Sequence, residues 1–216
     1  MIGIATALVL LGGSIAPFLT PWYVHLEQSR TAVYSNAGMT WAEIDRVTTS
    51  ILGDLVFWQG DFGVEEYNGY DRSGYPALTD AERAHMRDVR NVFTGLWVLV
   101  IAGIVALVVA FRRIRAPDNR ARAWRSVRNG AGILAVAIGV AGVFAIVAFD
   151  AAFEVFHRLF FSAGSYTFDP VHSRLIQLFP ERFWSETAIM VGSVIIGAAV
   201  VTAWLAGRRA SRIAAA

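Results

Sequence analysis

The chain has 216 residues, 56% of them hydrophobic and only 17% charged, with a mean hydropathy of +0.49 and a formal net charge of +2. Soluble domains carry about 25% charged residues, so the composition argues against a water-soluble globule, and its apolar content excludes disorder. The small net charge, with basic residues gathered in one short stretch, argues against nucleic-acid binding.

The chain has no Cys, and all 19 Lys+Arg residues are Arg. Disulfides, thiol nucleophiles, Cys-based metal sites and lysine Schiff bases are therefore absent. Chemistry is left to hydroxyls, carboxylates, arginines and four histidines: His25, His85, His157 and His172.

Met1–Val24 runs for 24 residues without Asp, Glu, Arg or His, enough to cross a hydrocarbon core about 30 Å thick as a helix. It reads as an uncleaved span, because no basic residue precedes it and the apolar run exceeds a signal core. Ser14-Ile15-Ala16 is the weak alternative, a small-residue cleavage site. Pro17 and Pro21 are expected to end or kink this span.

The segment His25–Arg90 follows, with eleven acids and six arginines. Thr40-Trp41-Ala42-Glu43 has the spacing of a capping box. Ile44, Val47, Ile51, Leu52, Leu55 and Val56 then recur at helical spacing. Together they predict an amphipathic helix from about Trp41 to Trp58, lying on the membrane or capping a bundle. Gln59–Ala77 holds Gly60, Gly63, Gly69, Gly74 and Pro76 and reads as a loop, which also carries Tyr67, Tyr70 and Tyr75. Thr79-Asp80-Ala81-Glu82 is a second capping box. Nothing interrupts a helix from there to Phe111, so the second span is expected to begin as a soluble helix and run on into the membrane.

Three more charge-free stretches, Asn91–Phe111, Asn129–Phe149 and Thr187–Gly207, are each 21 residues long and rich in Val, Ile, Ala and Gly. Small residues let helices approach closely in lipid. Between the second and third spans, Arg112–Arg128 holds seven arginines and one acid, Asp118. Arg208, Arg209 and Arg212 follow the last span. The positive-inside rule places both basic segments in the cytoplasm. The expected fold class is an all-α membrane protein, a four-transmembrane-helix bundle with an extracytoplasmic helical cap from the first loop. It is expected as a single integral membrane domain over residues 1–216. Its spans fall at about 2–24, 91–111, 129–149 and 187–207, its outer segments at 25–90 and 150–186, and its cytoplasmic loop at 112–128, with both termini cytoplasmic.

His85 stands six residues before Asn91 and His157 eight residues past Phe149, roughly 9 and 12 Å beyond the apolar runs at a helical rise of about 1.5 Å per residue. The third helix is expected to continue through Asp150, Glu154, His157 and Arg158, which share one face. Two histidines are thus placed at similar depth near the outer interface, each with a carboxylate within a turn, Asp88 or Glu154, that could fix its tautomer. Ionisable groups at membrane depth point to function; the bland alternative is a pair of structural interface histidines. His25 and His172 read as solvated loop residues, and Trp22, Tyr23, Phe183 and Trp184 as an interfacial belt. Zinc on the two histidines with Asp88 or Glu154 lacks metal-motif spacing. A haem between two histidines would make this a non-enzymatic bis-His haem-binding membrane protein. A lipid ester hydrolase is a further alternative, although no Gly-x-Ser-x-Gly elbow is present.

His85-Met86-Arg87-Asp88-Val89-Arg90, after Leu78-Thr79-Asp80-Ala81-Glu82, resembles one signature of the bacterial lipoprotein intramolecular transacylases, a family of four-span membrane proteins. Phe153-Glu154-Val155-Phe156-His157-Arg158-Leu159-Phe160-Phe161 resembles a second. Phe168-Asp169-Pro170 and the run Leu175 to Trp184 extend it. The sequence departs from the expected pattern at Ala163, Tyr166 and Ser173, where Asn, Trp and Asp are expected. The resemblance implies transfer of one acyl chain, within a diacylglyceryl lipoprotein, from the middle glycerol oxygen to the N-terminal cysteine amine. It implies a lipoprotein substrate in a lipid environment and no cofactor, metal or nucleic acid. His85 and His157 would be catalytic, Asp88 and Glu154 would orient them, and Arg90 or Arg158 would hold the carbonyl oxygen or a lipid headgroup. Tyr67 is a candidate loop contact.

Overall fold

The computed structural model describes residues 1–31, 33, 37–67 and 74–215, with 66 and 67 described by backbone alone. In chain order the elements are α1 (Ile2–Ile15), a 3-10 turn (Ala16–Leu19), α2 (Pro21–Arg30), α3 (Trp41–Phe57), β1 (Glu65–Tyr67), β2 (Gly74–Pro76), α4 (Asp80–Arg113), α5 (Pro117–Val147), α6 (Phe149–Phe160), α7 (Arg174–Leu178) and α8 (Glu181–Ala214). Ile2–Leu19, α4, α5 and α8 are each long and apolar enough to cross a membrane.

The first span is shorter than the expected 2–24, because both prolines act on it. Pro17 falls in the 3-10 turn that follows Ile15, and Pro21 opens a new helix at a position where its missing N–H costs nothing. Thr20 caps that helix by accepting from the Tyr23 N–H. The second span behaves as expected: Thr79 and Glu82 close a reciprocal capping box, and α4 continues unbroken for 34 residues. The third does not. The helix leaves its path at Ala148, with φ −146° and ψ 65°, and α6 begins afresh at Phe149. No Gly or Pro marks this break. Residues 149–160 instead carry their own amphipathic pattern: Phe149, Phe153, Phe156 and Phe160 fall on one arc, and Asp150, Glu154 and Arg158 on the other.

Close contacts divide the chain into two compact units. The first comprises Met1–Ala16, Gly95–Val147 and Ala188–Ala216. Its helices touch through small residues. A Cβ at Gly130 would come within 2.2 Å of the Gly3 carbonyl oxygen, and one at Gly12 within 2.4 Å of the Val100 side chain. Only glycine permits these approaches, which bring α1 against α5 and α4. The side chains left outward are apolar, among them Val98, Ile101, Val105, Ile133, Val136 and Val140. A soluble protein would not expose such a surface.

The second unit comprises Pro17–Thr94 and Ala148–Thr187. The Thr40–Glu43 capping box starts α3 where the spacing predicts. Ile44, Val47, Ile51 and Leu55 are all buried, in a core completed by Val33, Met39, Phe62, Leu78, Met86 and Leu178. The apolar face of α3 is therefore taken up inside this unit, not laid on a membrane surface. Gln28 is fully buried and donates to Thr48 and to the Leu178 carbonyl, joining three separate segments. The expected loop over 59–77 contains a two-stranded antiparallel ribbon, with Glu66 opposite Tyr75. The side chain of Tyr67 and all of Tyr70 lie outside the described residues.

Candidate active site

Glu82 does more than cap its own helix. Its carboxylate accepts from the Thr79 N–H and hydroxyl at 2.7 and 2.8 Å, from the Ser173 hydroxyl at 2.6 Å and from the Leu175 N–H at 2.9 Å. Ser173 in turn caps α7, accepting from the Ile176 N–H. An Asp at 173 would set a second carboxylate against Glu82, whereas the Ser found here supplies a donor. Burial disfavours the Glu82 charge, but the bonds from Ser173, Leu175 and Thr79 outweigh it and hold the carboxyl below its ordinary value. The N-terminal turn of α4 is thus tied to residues 173–175, and His85 stands one turn further along.

A second tie fixes the same helix from its other side. Asp61 receives Arg87 at 2.9 Å and Arg90 at 3.2 Å, with Arg83 at 3.9 Å. The hydrogen bond from Arg87, then the Arg87 and Arg90 charges, keep the Asp61 carboxyl low. Arg90 also donates to the Gly60 carbonyl and lies over the rings of Trp58 and Phe62, at 4.2 and 5.0 Å. Trp58 and Phe62 both adopt positive φ, 56° and 57°. Asp54 steadies that turn by accepting from the Phe62 N–H at 2.6 Å.

Between these ties the structure brings His85 and His157 together. Both are 7% exposed, and their rings stack at 6.0 Å with 21° between planes. Aromatic rings enclose them. Phe161 meets both histidines, at 4.9 and 5.4 Å, and Phe168 stands edge-on to His85 at 5.7 Å. Phe153 and Tyr166 flank His157 at 4.1 and 4.9 Å. The His157 Nδ1 lies 2.8 Å from the Phe153 carbonyl oxygen, an acceptor only, so Nδ1 is the donor and the tautomer that keeps the lone pair on Nε2 is the one selected in the neutral ring. His85 Nδ1 is buried and has no hydrogen-bond partner among the described residues. His85 precedes the charge-free stretch that starts at Asn91. Burial, then the neighbouring His157, push its pKa from 6.5 down to about 4, with Asp88 pulling weakly the other way. Its ring is neutral at pH 7.

The supporting residues are arranged differently from the sequence expectation. Glu154 does not hold the His157 ring; the Phe153 carbonyl does. Glu154 accepts from Arg158 at 2.7 Å and from the Tyr166 hydroxyl at 3.3 Å, and it meets His157 by charge and through the ring of Tyr166, not by a hydrogen bond. The Arg158 bond keeps its carboxyl low. Among the described residues Asp88 makes no hydrogen bond to His85 and acts on it by charge alone. Arg90 is engaged by the 58–62 turn, and Arg158 by Glu154. Residue-type reasoning missed Phe161, Phe168 and Tyr166 as ring contacts; the aromatic density of 153–168 was the available signal. His25 pairs with Asp45 at 3.6 Å and His172 with Asp169 at 2.6 Å, both as exposed pairs.

A sequence model of the lipoprotein intramolecular transacylases (Lit) matches residues 1–184. A protein of Aquifex aeolicus (strain VF5), described only as uncharacterized, is 27% identical over 156 residues, 69% of this chain and 67% of its own length. The in meso structure of the membrane integral lipoprotein intramolecular transacylase from Bacillus cereus superposes with a TM-score of 0.75 at 19% identity, covering 100% of this chain and 95% of that one. The structure of a histidine-to-alanine variant of that protein gives 0.71 at 17% identity, covering 100% and 93%. At these identities the structural likeness establishes the fold, an all-α membrane-integral architecture.

Proposed function

The chain belongs to the lipoprotein intramolecular transacylase family and is a multi-pass membrane acyltransferase; from that premise we propose that His85 and His157 carry the transfer of an acyl chain from the middle glycerol ester oxygen of a diacylglyceryl lipoprotein to its N-terminal cysteine amine. The observation that carries this reading is the stacked pair of buried imidazoles inside an aromatic enclosure.

The substrate brings both nucleophile and ester, so the chain needs no Cys, Lys or activated Ser of its own. The amine nitrogen attacks the ester carbonyl carbon, and one N–H proton passes to Nε2 of His157, the nitrogen that the Phe153 carbonyl leaves free. His85 is neutral and donates an N–H to the developing oxyanion, as a neutral imidazole can where its pKa is depressed. The proton on His157 then goes to the glycerol oxygen as the carbon–oxygen bond breaks. One ester is exchanged for one amide and one hydroxyl, and no water is consumed. The aromatic walls favour this outcome over hydrolysis by excluding water and receiving acyl methylenes. Holding amine and ester in register is worth about 7–11 kcal/mol of barrier in favourable cases.

The arginine distribution supports cytoplasmic termini, a cytoplasmic loop at 112–128 and an extracytoplasmic site. Reporter fusions after Arg120 and Arg212 are expected to read cytoplasmic, and fusions near Gly63 and Gly164 external; an external reading at Arg120 overturns the orientation. The reaction is tested by mass spectrometry of lipoprotein N-terminal peptides from cells with and without the protein. The expected product is N-acyl-S-monoacylglyceryl cysteine with the total acyl count unchanged. Release of free fatty acid with a free amine remaining would instead make the chain a lipid ester hydrolase.

A further inference from the structure

Outside the histidine site, the first unit holds a cationic groove. Its volume is about 500 Å3, and Arg128, Trp204, Gly207, Arg208, Ser211 and Arg212 form most of its wall. Arg128 comes from α5, immediately before the charge-free stretch that begins at Asn129. Arg208 comes from α8, immediately after the one that ends at Gly207, and Arg212 one helical turn further on. The three guanidinium groups therefore lie within about one helical turn of the ends of two apolar spans. On α8, Trp204, Arg208 and Arg212 recur every fourth residue and share a face.

Three features of the groove suit a ligand. The first is charge. Arg30, Arg83, Arg87, Arg90, Arg158 and Arg182 each stand in an ion pair. Among the described residues, none of the three groove arginines pairs with a carboxylate. Among the described residues Arg128 donates to the neutral amide oxygen of Asn129, at 3.3 Å. The second is shape. The Arg128 stem packs against α8 beside Gly207, where a Cβ would stand 3.4 Å from the Arg128 Cδ, an ordinary contact distance. The third is mixed polarity. Arg208 lies 4.8 Å over the ring of Trp204, which is 58% exposed beside Ala203. The groove thus offers guanidinium donors beside an aromatic and methyl wall. A free inorganic anion would use only the first.

We propose that this groove is a binding site for an anionic phospholipid, with the phosphodiester held by Arg128, Arg208 and Arg212 and the first acyl methylenes laid against Trp204 and Ala203. Planar guanidinium groups match phosphate oxygens two at a time. Basic pockets at span ends are where headgroup phosphates dock. The site is independent of the acyl-transfer chemistry.

The experiment uses the full chain purified in neutral detergent. Phosphatidylglycerol, phosphatidylcholine with the same acyl chains, or inorganic phosphate is titrated in, and the unfolding midpoint is read by tryptophan fluorescence. Native mass spectrometry counts retained lipid. Phosphatidylglycerol is expected to raise the midpoint and stay bound, and the other two are not. The triple variant Arg128→Gln, Arg208→Gln, Arg212→Gln should lose the shift. The triple variant Arg112→Gln, Arg113→Gln, Arg120→Gln removes the same charge elsewhere and should keep it. Equal loss in both triples would mean diffuse surface attraction and overturn the site. An equal shift with inorganic phosphate would overturn the lipid assignment. If the groove triple variant does not fold, the single variants Arg208→Gln and Arg212→Gln decide: each should weaken apparent lipid affinity about fivefold, and unchanged affinity in both overturns the proposal.

Discussion

The two histidines reach one site by different physical means. His85 sits in a long helix whose first turns are held by charge: Glu82 accepts bonds from four donor groups on one side, and Asp61 gathers three arginines on the other. His157 sits in a twelve-residue helix, set by one backbone carbonyl and four flanking aromatic rings, those of Phe153, Phe156, Phe161 and Tyr166. A charge frame is directional and costly to break, while a ring stack tolerates small repacking. The first should therefore fail abruptly when a partner is removed, and the second gradually.

The largest expected effect removes the rings themselves. His85→Ala and His157→Ala should each lower conversion by about 10²–10⁴-fold, the usual worth of a positioned acid or base. The double variant should be little worse than either single, because both act on one proton-transfer coordinate. The ratio of N-acylated to diacylglyceryl peptide at equal protein level measures this, and wild-type conversion in both singles removes the site. The His85 ring also sets a stability window. Its folded pKa, about 4, lies below the ordinary 6.5, so the unfolded chain takes up a proton first as pH falls. Stability is full above pH 6.5 and declines towards pH 4; His85→Gln should flatten that decline.

Next in size is the charge frame. Glu82→Ala strands the Ser173 hydroxyl and the Leu175 and Thr79 N–H groups together, and orphaned donors cost about 1–3 kcal/mol each. A fall in the thermal midpoint at pH 7 should accompany lost activity. The Glu82 carboxyl is held low, so its contribution is present above pH 4.5 and is lost as pH falls below it. An unchanged midpoint for Glu82→Ala would show that residues 173–175 are held by something other than this carboxylate.

How much of this frame could be read in advance differs between the two histidines. Both capping boxes and the unbroken α4 follow from local spacing, and counting residues along that helix put His85 in its place. The break at Ala148 carries no Gly or Pro, so local rules extend the helix through it. Only the separate amphipathic pattern of 149–160 hints that α6 is its own element. The pairing of the histidines was legible from span topology and from the family resemblance. Their partners were not. Glu82 meets Ser173 across 91 residues, and Asp61 meets Arg90 across 29. Sequence neighbours suggested Asp88 and Glu154 as ring holders because they share helical faces with the histidines. A carboxylate one turn away is also within reach of an arginine, however, and Arg158 outcompetes His157 for Glu154.

The ring stack should respond more mildly. Tyr166→Phe keeps the ring against His157 and removes only the hydroxyl bond to the Glu154 carboxylate, so conversion should fall by about tenfold, the low end for a hydrogen bond to a charged group. Glu154→Gln keeps an oxygen that can accept from Tyr166 and loses only the charge that faces Arg158, so it should cost no more than Tyr166→Phe. Tyr166→Ala should cost more than either, because it opens the enclosure. If Glu154→Gln matched His157→Ala, the carboxylate would be touching the reacting proton directly, and the Phe153 carbonyl would not be the group that sets the tautomer.

The smallest effect belongs to His172, and it separates the frame from the chemistry. His172 is in the same turn as Ser173, so a substitution there could in principle disturb the Glu82 contact. Its own bond is to Asp169 at 2.6 Å, on a side chain 82% exposed. Exposed pairs of this kind contribute little. The turn does not depend on that ring either: the Asp169 carbonyl accepts the His172 and Ser173 N–H groups, and the Asp169 carboxylate accepts the Val171 N–H. All three bonds survive His172→Ala. Conversion and thermal midpoint should both stay near wild type, while Asp169→Ala, which removes the carboxylate acceptor in that turn, should cost measurably more. A large loss for His172→Ala would mean that an exposed histidine takes part in the reaction, and the division between a charge frame and a two-histidine centre would have to be redrawn.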